Sequence, residues 1–349
     1  MTSNVIKFAR SQHSVFQRVD TSLLPWLLLC VILIQAGCAT PSLQEPPDNS
    51  VTIAEFVSQP STPGPLEGTY RGGDGAELGF LGYLAKERNR DLAFVYFHGI
   101  ESHAGWFDGP ARMLQTAGYD LFALDRRGSG INRENRGLPS GHIASKGLLI
   151  SDVDAFIAPL TSIYREVIII GLSWGGKLAP VYALSHPSRV SGLVLVTPGL
   201  KALVDVSSGT KLQILVSSWL APKTRFKTPI EVEMFTNTPE HLDYIRGDEL
   251  RLSEATAQFF MVSRALDNFV EAHIRNLELP VLLFLAGKDR IVDNAGVVDL
   301  LERADLSDLT IVNYSEQTHS IQFDAPNEMV DDILNWLKNL PISREVTSS

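Results

Sequence analysis

Hydrophobic positions from about residue 77 onward fall into short, uninterrupted apolar runs, separated by stretches with helical periodicity. A run that is apolar at every position predicts a strand buried on both faces, which is typical of a parallel sheet covered by helices. The pattern therefore predicts an α/β fold with a mostly parallel sheet and helices on both faces. The predicted strands are Leu78–Leu84, Leu92–Phe97, Leu121–Leu124, Val167–Ile170, Leu193–Val196, Val281–Leu285 and Leu309–Val312, with a further strand near Thr52–Val57.

The alternation stops between Pro198 and about Leu279, within a predicted folded domain of residues 51–340. Helical periodicity in this segment is clearest around Lys211–Leu220 and Ser253–Asn268. We therefore predict a helical cap at about 198–279, inserted after the C-terminal end of a strand, where open α/β sheets bind their ligands. Its apolar side chains are expected either to form a pocket for an acyl chain or to pack as ordinary helix faces. They are Leu212, Ile214, Leu215, Trp219, Leu220, Phe259, Phe260 and Met261.

One buried run ends in a serine between glycines, V-I-I-I-G-L-S-W-G-G at residues 167–176. The spacing Gly-x-Ser-x-Gly alone is weak evidence, because it arises by chance in roughly one chain in ten of this length. After a strand and before a helix it has a mechanical meaning, because Gly171 and Gly175 allow a sharp turn that raises the serine above the sheet. The pattern predicts Ser173 as a nucleophile, with a helix beginning near Trp174. Pro180 falls inside that helix and is expected to kink it or end it early.

A serine hydroxyl needs a base to take its proton and an acid to orient that base. Asp289 follows the predicted strand Val281–Leu285, and His319 follows the last predicted strand. Taken singly, Asp289 is typical of a turn and His319 of a surface loop. Both follow strands that end at the same sheet edge as Ser173, so we predict the catalytic set Ser173, Asp289 and His319. Asp293 is the reserve acid.

An oxyanion formed during acyl transfer requires preorganised donors. We predict two backbone N–H groups for this role. One belongs to Trp174, directly after the serine, and the other to Ile100, in the loop that follows the strand Leu92–Phe97.

These stretches resemble the monoacylglycerol lipase and lysophospholipase type of serine hydrolase, within the α/β-hydrolase fold and similar to serine aminopeptidase S33. The resemblance covers roughly residues 75–338 and rests on H-G-I-E-S-H at 98–103, D-R-R-G-S-G at 125–130 and the serine turn. It implies an eight-stranded sheet and a carboxylic ester hydrolase acting on a lipid-type ester. Departures from the family pattern at Glu101, Ser102, Ser129 and Trp174 bear on substrate choice more than on chemistry.

The N-terminus has the pattern of a bacterial export signal. Three basic residues precede the apolar stretch Leu23–Ile34, which is too short to span a bilayer, and Q-A-G-C follows at 35–38. The stretch resembles the lipobox of bacterial lipoproteins, which implies cleavage after residue 37, a lipid on Cys38 and a tether over 38–50. Alanine at position 39 implies the outer membrane, facing the periplasm. Alternatively, Cys38 is an ordinary small residue of a signal or anchor.

Composition excludes some classes of protein. The net charge is −10, and no stretch is dense in Lys or Arg, so a nucleic-acid partner is not expected. His98 and His103 lack a carboxylate or cysteine at metal-ligand spacing, so we predict hydrogen-bonding roles for them, no metal and no cofactor. R-G-G-D-G at 71–75 predicts a turn and not a phosphate loop.

Three functions therefore remain open at this stage. The first is hydrolysis of acyl esters of monoacylglycerol or lysophospholipid. The second is cleavage of amides, as a peptidase, by the same three residues. The third is a noncatalytic envelope lipoprotein that uses the fold as a binding scaffold.

Overall fold

A computed structural model describes residues 52–340. Its main sheet has eight strands in the order β1-β2-β4-β3-β5-β6-β9-β10. β2 runs antiparallel to β1 and β4, and every other neighbouring pair is parallel. The strands are β1 Leu66–Arg71, β2 Glu77–Tyr83, β3 Leu92–Phe97, β4 Asp120–Leu124, β5 Glu166–Leu172, β6 Gly192–Val196, β9 Val281–Ala286 and β10 Leu309–Tyr314. The predicted fold class is confirmed.

Helices cover both faces of this sheet, because its central strands are apolar on both sides. In β3, Ala93, Val95 and Phe97 belong to one apolar core, and the alternate residues Phe94 and Tyr96 belong to another. The first core includes helices α1, α3, α4, α7 and α8, and the second includes α2 and α10. The helices are α1 Ile53–Ser58, α2 Asp108–Thr116, α3 Lys146–Leu160, α4 Gly175–Ser185, α5 Ser208–Leu220, α6 Pro239–Gly247, α7 Ala257–His273, α8 Asn294–Leu301, α9 Ile321–Asp324 and α10 Pro326–Asn339.

The predicted strand near Thr52–Val57 is wrong, because this segment forms α1. The side chain of Thr52 accepts from the backbone N–H of Glu55, and the Glu55 carboxylate accepts from that of Thr52. This reciprocal pair is a capping box, whose sequence signature T-x-x-E occurs at residues 52–55. The buried residues Ile53, Phe56 and Val57 have the i, i+3, i+4 spacing of one helix face.

Strand β1 was not predicted because it is buried on only part of its surface. Tyr70 is its one fully buried residue, so the rule of continuous apolar runs does not detect it. The turn predicted at 71–75 is present, with Gly75 at φ 82° between β1 and β2.

The segment between β6 and β9 contains α5, α6, α7 and a separate antiparallel pair of strands, β7 Arg225–Lys227 and β8 Glu254–Thr256. The sequence predicts a helix around Ser253–Asn268. In the structure, residues 254–256 of this range form β8, and the helix α7 begins after them. On α5, only Ile214 is buried, whereas Trp219 is 83% exposed and Leu220 82% exposed. Among the described residues, no helix has the length and apolar character needed to cross a membrane.

The sequence predicts that Pro180 kinks helix α4 or ends it early, but the helix does not end there. It continues to Ser185, and all its residues from Gly175 to Ala183 are buried. Because this helix is buried on all sides, the free energy gained by its packing offsets the loss of the single backbone hydrogen bond that a proline removes.

Candidate active site

Ser173 occupies a strained turn between β5 and α4. Its φ of 51° lies in the left-handed region, which residues with a side chain rarely adopt. Two backbone hydrogen bonds hold the turn to the chain after β6. The N–H of Ser173 donates to the Val196 carbonyl at 3.0 Å, and its carbonyl accepts from the N–H of Gly199 at 2.7 Å. The serine is therefore fixed at the carboxyl edge of the sheet.

The glycines beside Ser173 are required by close approach of the backbone. A methyl group on Gly175 would overlap the carbonyl oxygen of Phe97 and would lie 2.8 Å from that of His98. A methyl group on Gly171 would lie 2.7 Å from the carbonyl oxygen of Gly175. Strand, turn and helix can approach this closely only without Cβ atoms at these positions.

Gly175→Ala is expected to lower the thermal midpoint by several degrees and to reduce activity, because rigid backbone atoms would have to move. Gly109→Ala is the matched control, since a methyl group at that helical position meets nothing within 4 Å. We expect it to change the free energy of unfolding by less than about 1 kcal/mol. Thermal unfolding of both variants would test this prediction, and equal midpoints would contradict it.

His319 is bonded to Asp289 in a buried pair. The distance from Nδ1 of His319 to Oδ2 of Asp289 is 2.8 Å, and both side chains are fully buried. The other carboxylate oxygen accepts from the N–H groups of Ile291 and Val292 at 2.8 and 3.0 Å. Burial acts to raise the pKa of Asp289, but His319 and these N–H groups outweigh it, so the pKa lies below its usual value. Asp289 is therefore ionised at neutral pH.

The same pair determines which nitrogen of His319 is available. A bond to a carboxylate places the proton on Nδ1, so Nε2 of the neutral ring is an acceptor. Nε2 is buried and has no hydrogen-bond partner. The backbone of His319 is tied to the sheet edge beside Ser173, because Thr197, which follows Val196, donates from Oγ1 to the His319 carbonyl at 3.0 Å.

The reserve acid Asp293 has a different role. It is the N-cap of α8, and its carboxylate accepts from the N–H of Gly296 at 3.1 Å. Asp289, and not Asp293, is the carboxylate bonded to His319.

The two predicted oxyanion donors lie in peptide planes whose carbonyl groups are both fixed. In a trans peptide, C=O and N–H point in opposite directions, so fixing one fixes the other. The Gly99 carbonyl, in the plane of the Ile100 N–H, accepts from Nδ1 of His98 at 2.8 Å. The Ser173 carbonyl, in the plane of the Trp174 N–H, accepts from Gly199. A methyl group on Gly99 would lie 3.4 Å from Cβ of Ser173, so the two turns are adjacent.

The motif D-R-R-G-S-G joins the loops that follow β3 and β4. Asp125 accepts from the N–H of Ala104 at 2.7 Å and from that of Ile131 at 2.9 Å. A methyl group on Gly130, whose φ is 51°, would overlap this carboxylate. Through Asp125, the loop after β4 thus holds the loop that contains Ile100 in place.

The chain is similar to known proteins in sequence and in fold. The family model described as "Serine aminopeptidase, S33" matches residues 88–326. The chain belongs to this family. It is 25% identical to the monoglyceride lipase of Rattus norvegicus, over 71% of this chain and 82% of that protein. It is 23% identical to a phospholipase of Bacillus subtilis (strain 168), over 58% of this chain and 78% of that one.

The fold of this family member is also found in solved structures. A soluble variant of the Saccharomyces cerevisiae monoglyceride lipase, in complex with a substrate analog, superposes with a TM-score of 0.70 at 17% identity. The match covers 80% of this chain and 96% of the yeast one. At this identity the likeness establishes the fold.

The cap contacts the loop at residues 98–103, the predicted oxyanion loop, through a buried carboxylate that the sequence did not reveal. Glu101, fully buried, accepts from Oγ1 of Thr228 and from Nε of Arg251, the latter at 2.8 Å. Its carbonyl accepts from the N–H of Leu252 at 2.9 Å. Burial raises the pKa of Glu101, and these donors oppose that rise. The position departs from the family pattern, and here it attaches the cap to the loop.

A second carboxylate attaches the cap to the loop of His319. Asp324 accepts from Thr236 of the cap at 2.6 Å and from Thr318, the residue before His319, at 2.8 Å. The N–H of Ser320 also donates to the carbonyl of Phe235 at 2.8 Å. The two residues that flank His319 are therefore both bonded within this junction.

The two histidines of the oxyanion loop have the hydrogen-bonding roles predicted for them. His98 bonds Gly99 as above, and its Nε2 accepts from the N–H of Arg126 at 3.2 Å. Burial, followed by the charge of Arg126, lowers the pKa of His98, so the ring is neutral. His103 is 3.1 Å from Asp248 of the cap. Within residues 52–340, no group of His, Cys, Asp and Glu side chains is arranged to hold a metal ion.

Proposed function

We propose that the protein is a serine hydrolase that cleaves lipid-type carboxylic esters, of monoacylglycerol or lysophospholipid, through an acyl-enzyme intermediate. The observation that carries this proposal is the buried His319–Asp289 pair, whose Nε2 is left free. Thr197 bonds the backbone of His319, and the neighbouring Val196 bonds the strained turn of Ser173, so both residues are held at one sheet edge. The names of the rat and Bacillus relatives, a monoglyceride lipase and a phospholipase, support the lipid ester as substrate class.

In the proposed mechanism, Oγ of Ser173 attacks the ester carbonyl carbon while Nε2 of His319 takes its proton. The carbonyl π electrons move to oxygen, and the N–H groups of Ile100 and Trp174 stabilise the resulting oxyanion. Collapse of this tetrahedral intermediate breaks the bond between the acyl carbon and the alcohol oxygen, and the departing alcohol receives the proton from Nε2. Water then attacks the acyl-enzyme in the same way and releases the fatty acid. Asp289 holds the tautomer and stabilises the imidazolium.

A direct comparison of substrates tests the proposal. Monoacylglycerol and lysophospholipid are incubated with the enzyme beside aminoacyl amides, and fatty acid and amine release are measured. We expect hydrolysis of the esters. The family description, a serine aminopeptidase, favours an amidase as the second candidate. Exclusive amide cleavage would establish that alternative, and the absence of both reactions would favour a noncatalytic scaffold.

We also propose that residues 1–37 are a leader and that Cys38 carries a lipid, which anchors the enzyme to the outer membrane on its periplasmic side. These residues, and the tether at 38–50, lie outside the described part of the chain. The proposal is supported by the basic, apolar and small-residue pattern of the N-terminus. A lipid-anchored enzyme would be held beside membrane lipids.

Cys38→Ala is expected to move the protein from the membrane fraction to the soluble fraction, because the lipid attachment atom is lost. Cys30→Ala is the matched control, since Cys30 belongs to the predicted leader and its loss should leave fractionation unchanged. Immunoblots of separated membranes measure both variants. Equal membrane association of Cys38→Ala and the wild type would contradict lipidation.

A further inference from the structure

A buried arginine lies behind both predicted oxyanion donors. Arg126 directly follows Asp125 at the end of β4 and is 8% exposed. The resemblance to the family rests on Asp125, Gly128 and Gly130 within D-R-R-G-S-G and assigns Arg126 no role. A buried guanidinium costs free energy unless its donors are used, so its contacts indicate what it does.

The guanidinium of Arg126 donates to two successive carbonyls of the oxyanion loop. Nη1 donates to the carbonyl of Gly99 at 2.6 Å, and Nη2 donates to the carbonyl of Ile100. The Gly99 carbonyl belongs to the same peptide plane as the Ile100 N–H, so this bond directs that N–H to the opposite side. The planar fork of an arginine can hold both carbonyls at once, which a lysine ammonium cannot do in the same geometry.

The same guanidinium lies over the ring of the residue that provides the other donor. Its Cζ lies 4.9 Å from the ring centroid of Trp174 and 5.5 Å from that of Phe259. The two rings stack on each other with centroids 5.3 Å apart. The indole Nε1 of Trp174 also donates to Oγ of Ser263 at 3.0 Å, and both Phe259 and Ser263 belong to cap helix α7. Arg126 therefore joins the oxyanion loop, the serine turn and the cap.

The charge of Arg126 is retained in this position. Burial lowers its pKa to about 9, and Asp125 opposes that change. At neutral pH the group remains a cation, and it lies on the carbonyl side of the peptide that presents the Ile100 N–H. A fixed positive charge there polarises the peptide and favours negative charge beyond its N–H.

We propose that Arg126 is a positioning residue that orients the oxyanion donors Ile100 and Trp174 and couples them to cap helix α7. The inference rests on the proposed function, because it concerns the oxyanion of the acylation step. In this proposal Arg126 acts through the Gly99–Ile100 peptide plane and the ring of Trp174, and not on the substrate directly. Its loss should therefore weaken transition-state binding more than substrate binding.

The first test compares Arg126→Lys and Arg126→Met with the wild type on a soluble short-chain ester. We expect kcat to fall by about 10- to 100-fold and KM to change by less than about threefold, because misaligned donors lose stabilisation in the transition state. A trifluoromethyl ketone gives a readout that partial unfolding would not change. Ser173 adds to its carbonyl and leaves an oxyanion, so its inhibition constant should rise in parallel with the fall in kcat/KM.

Arg127→Met is the matched control for loss of a buried arginine. Arg127 forms ion pairs with the carboxylates of Asp152 and Asp74. We expect this variant to lower the thermal midpoint because a buried carboxylate is left unpaired, while kcat and the inhibition constant stay near wild-type values.

The second test is chemical rescue of Arg126→Ala by methylguanidinium. At about 50 mM, the free cation should enter the space left by the side chain and restore kcat by about tenfold or more, since it supplies the same donors. Methylammonium at equal concentration and ionic strength should not restore kcat, because it lacks the fork.

Folded Arg126 variants with wild-type kcat/KM and ketone affinity would overturn the inference and leave the proposed function intact. Reduced activity with an unchanged ketone inhibition constant, or equal rescue by methylammonium, would also overturn it. A wild type that hydrolyses no ester and reacts with no fluorophosphonate would instead refute the proposed function, and the inference with it.

Discussion

Ser173→Ala is expected to lower ester hydrolysis by at least about 10⁴-fold and to abolish covalent labelling by a fluorophosphonate probe. The reason is that no other hydroxyl occupies the turn between β5 and α4, so water alone would have to attack the substrate. The probe reports on the nucleophile directly, because it forms its bond to the activated serine oxygen. Activity and labelling are measured on the same purified samples.

The fold should tolerate this change. Alanine is no more strained than serine at φ 51°, and the backbone bonds to Val196 and Gly199 do not involve the side chain. We therefore expect the thermal midpoint to stay close to that of the wild type. Ser151→Ala, at an exposed serine of α3, is the matched control and should label fully. Labelling that persists in Ser173→Ala would remove this residue from the nucleophile role.

Asp289→Asn is expected to lower kcat by about 10⁴-fold while leaving the fold intact. An asparagine can still accept from the N–H groups of Ile291 and Val292. Its amide would donate toward Nδ1 of His319, which forces the proton onto Nε2, the nitrogen that must accept a proton from Ser173. Asp293→Asn is the matched control, because asparagine also caps helices well. Loss of activity in Asp293→Asn, with normal activity in Asp289→Asn, would reverse the assignment of the acid.

The pH dependence of stability gives an independent check on this pair. The folded-state pKa of Asp289 is lowered, so its contribution is present above the pKa of an unfolded aspartate. That contribution is lost as the pH falls through the lowered pKa. Asp289→Asn should therefore lose less stability than the wild type between about pH 4 and acid denaturation. Identical acid dependence of the two thermal midpoints would show that the pair does not contribute.

Local pattern was sufficient for the elements buried on both sides. The apolar runs correspond to strands β2 to β6 and β9, whose residues are mostly buried on both faces. The run at 309–312 corresponds to β10, an edge strand that is only partly buried. Local pattern was insufficient for β1 and α1. In β1 only Tyr70 is buried, and the other residues are half-buried or exposed, so the strand lacks a continuous apolar run. Helix α1 has only six residues, which is also a typical strand length.

Part of the candidate site was also predictable from local sequence, and part of it was not. The residue types and their order, Ser173, Asp289 and His319, were read from the chain because each follows a strand that ends at one edge. The choice between Asp289 and Asp293 depended on which carboxylate reaches Nδ1 of His319. Asp293 lies only four positions after Asp289, so spacing could not distinguish them.

The sequence by itself determined the buried sheet, the serine turn and the candidate chemistry, because each is indicated by a short local pattern: an apolar run, a turn between glycines, or a polar residue directly after a strand. Only the tertiary structure decided how the cap is attached and what lies behind the oxyanion donors. Glu101 bonds a residue 150 positions away, and Thr236 bonds one 88 positions away. Arg126 reaches Trp174 and Phe259 from a different strand end. Contacts of this kind leave no periodic signal in a single sequence, because they depend on where separate elements meet after folding.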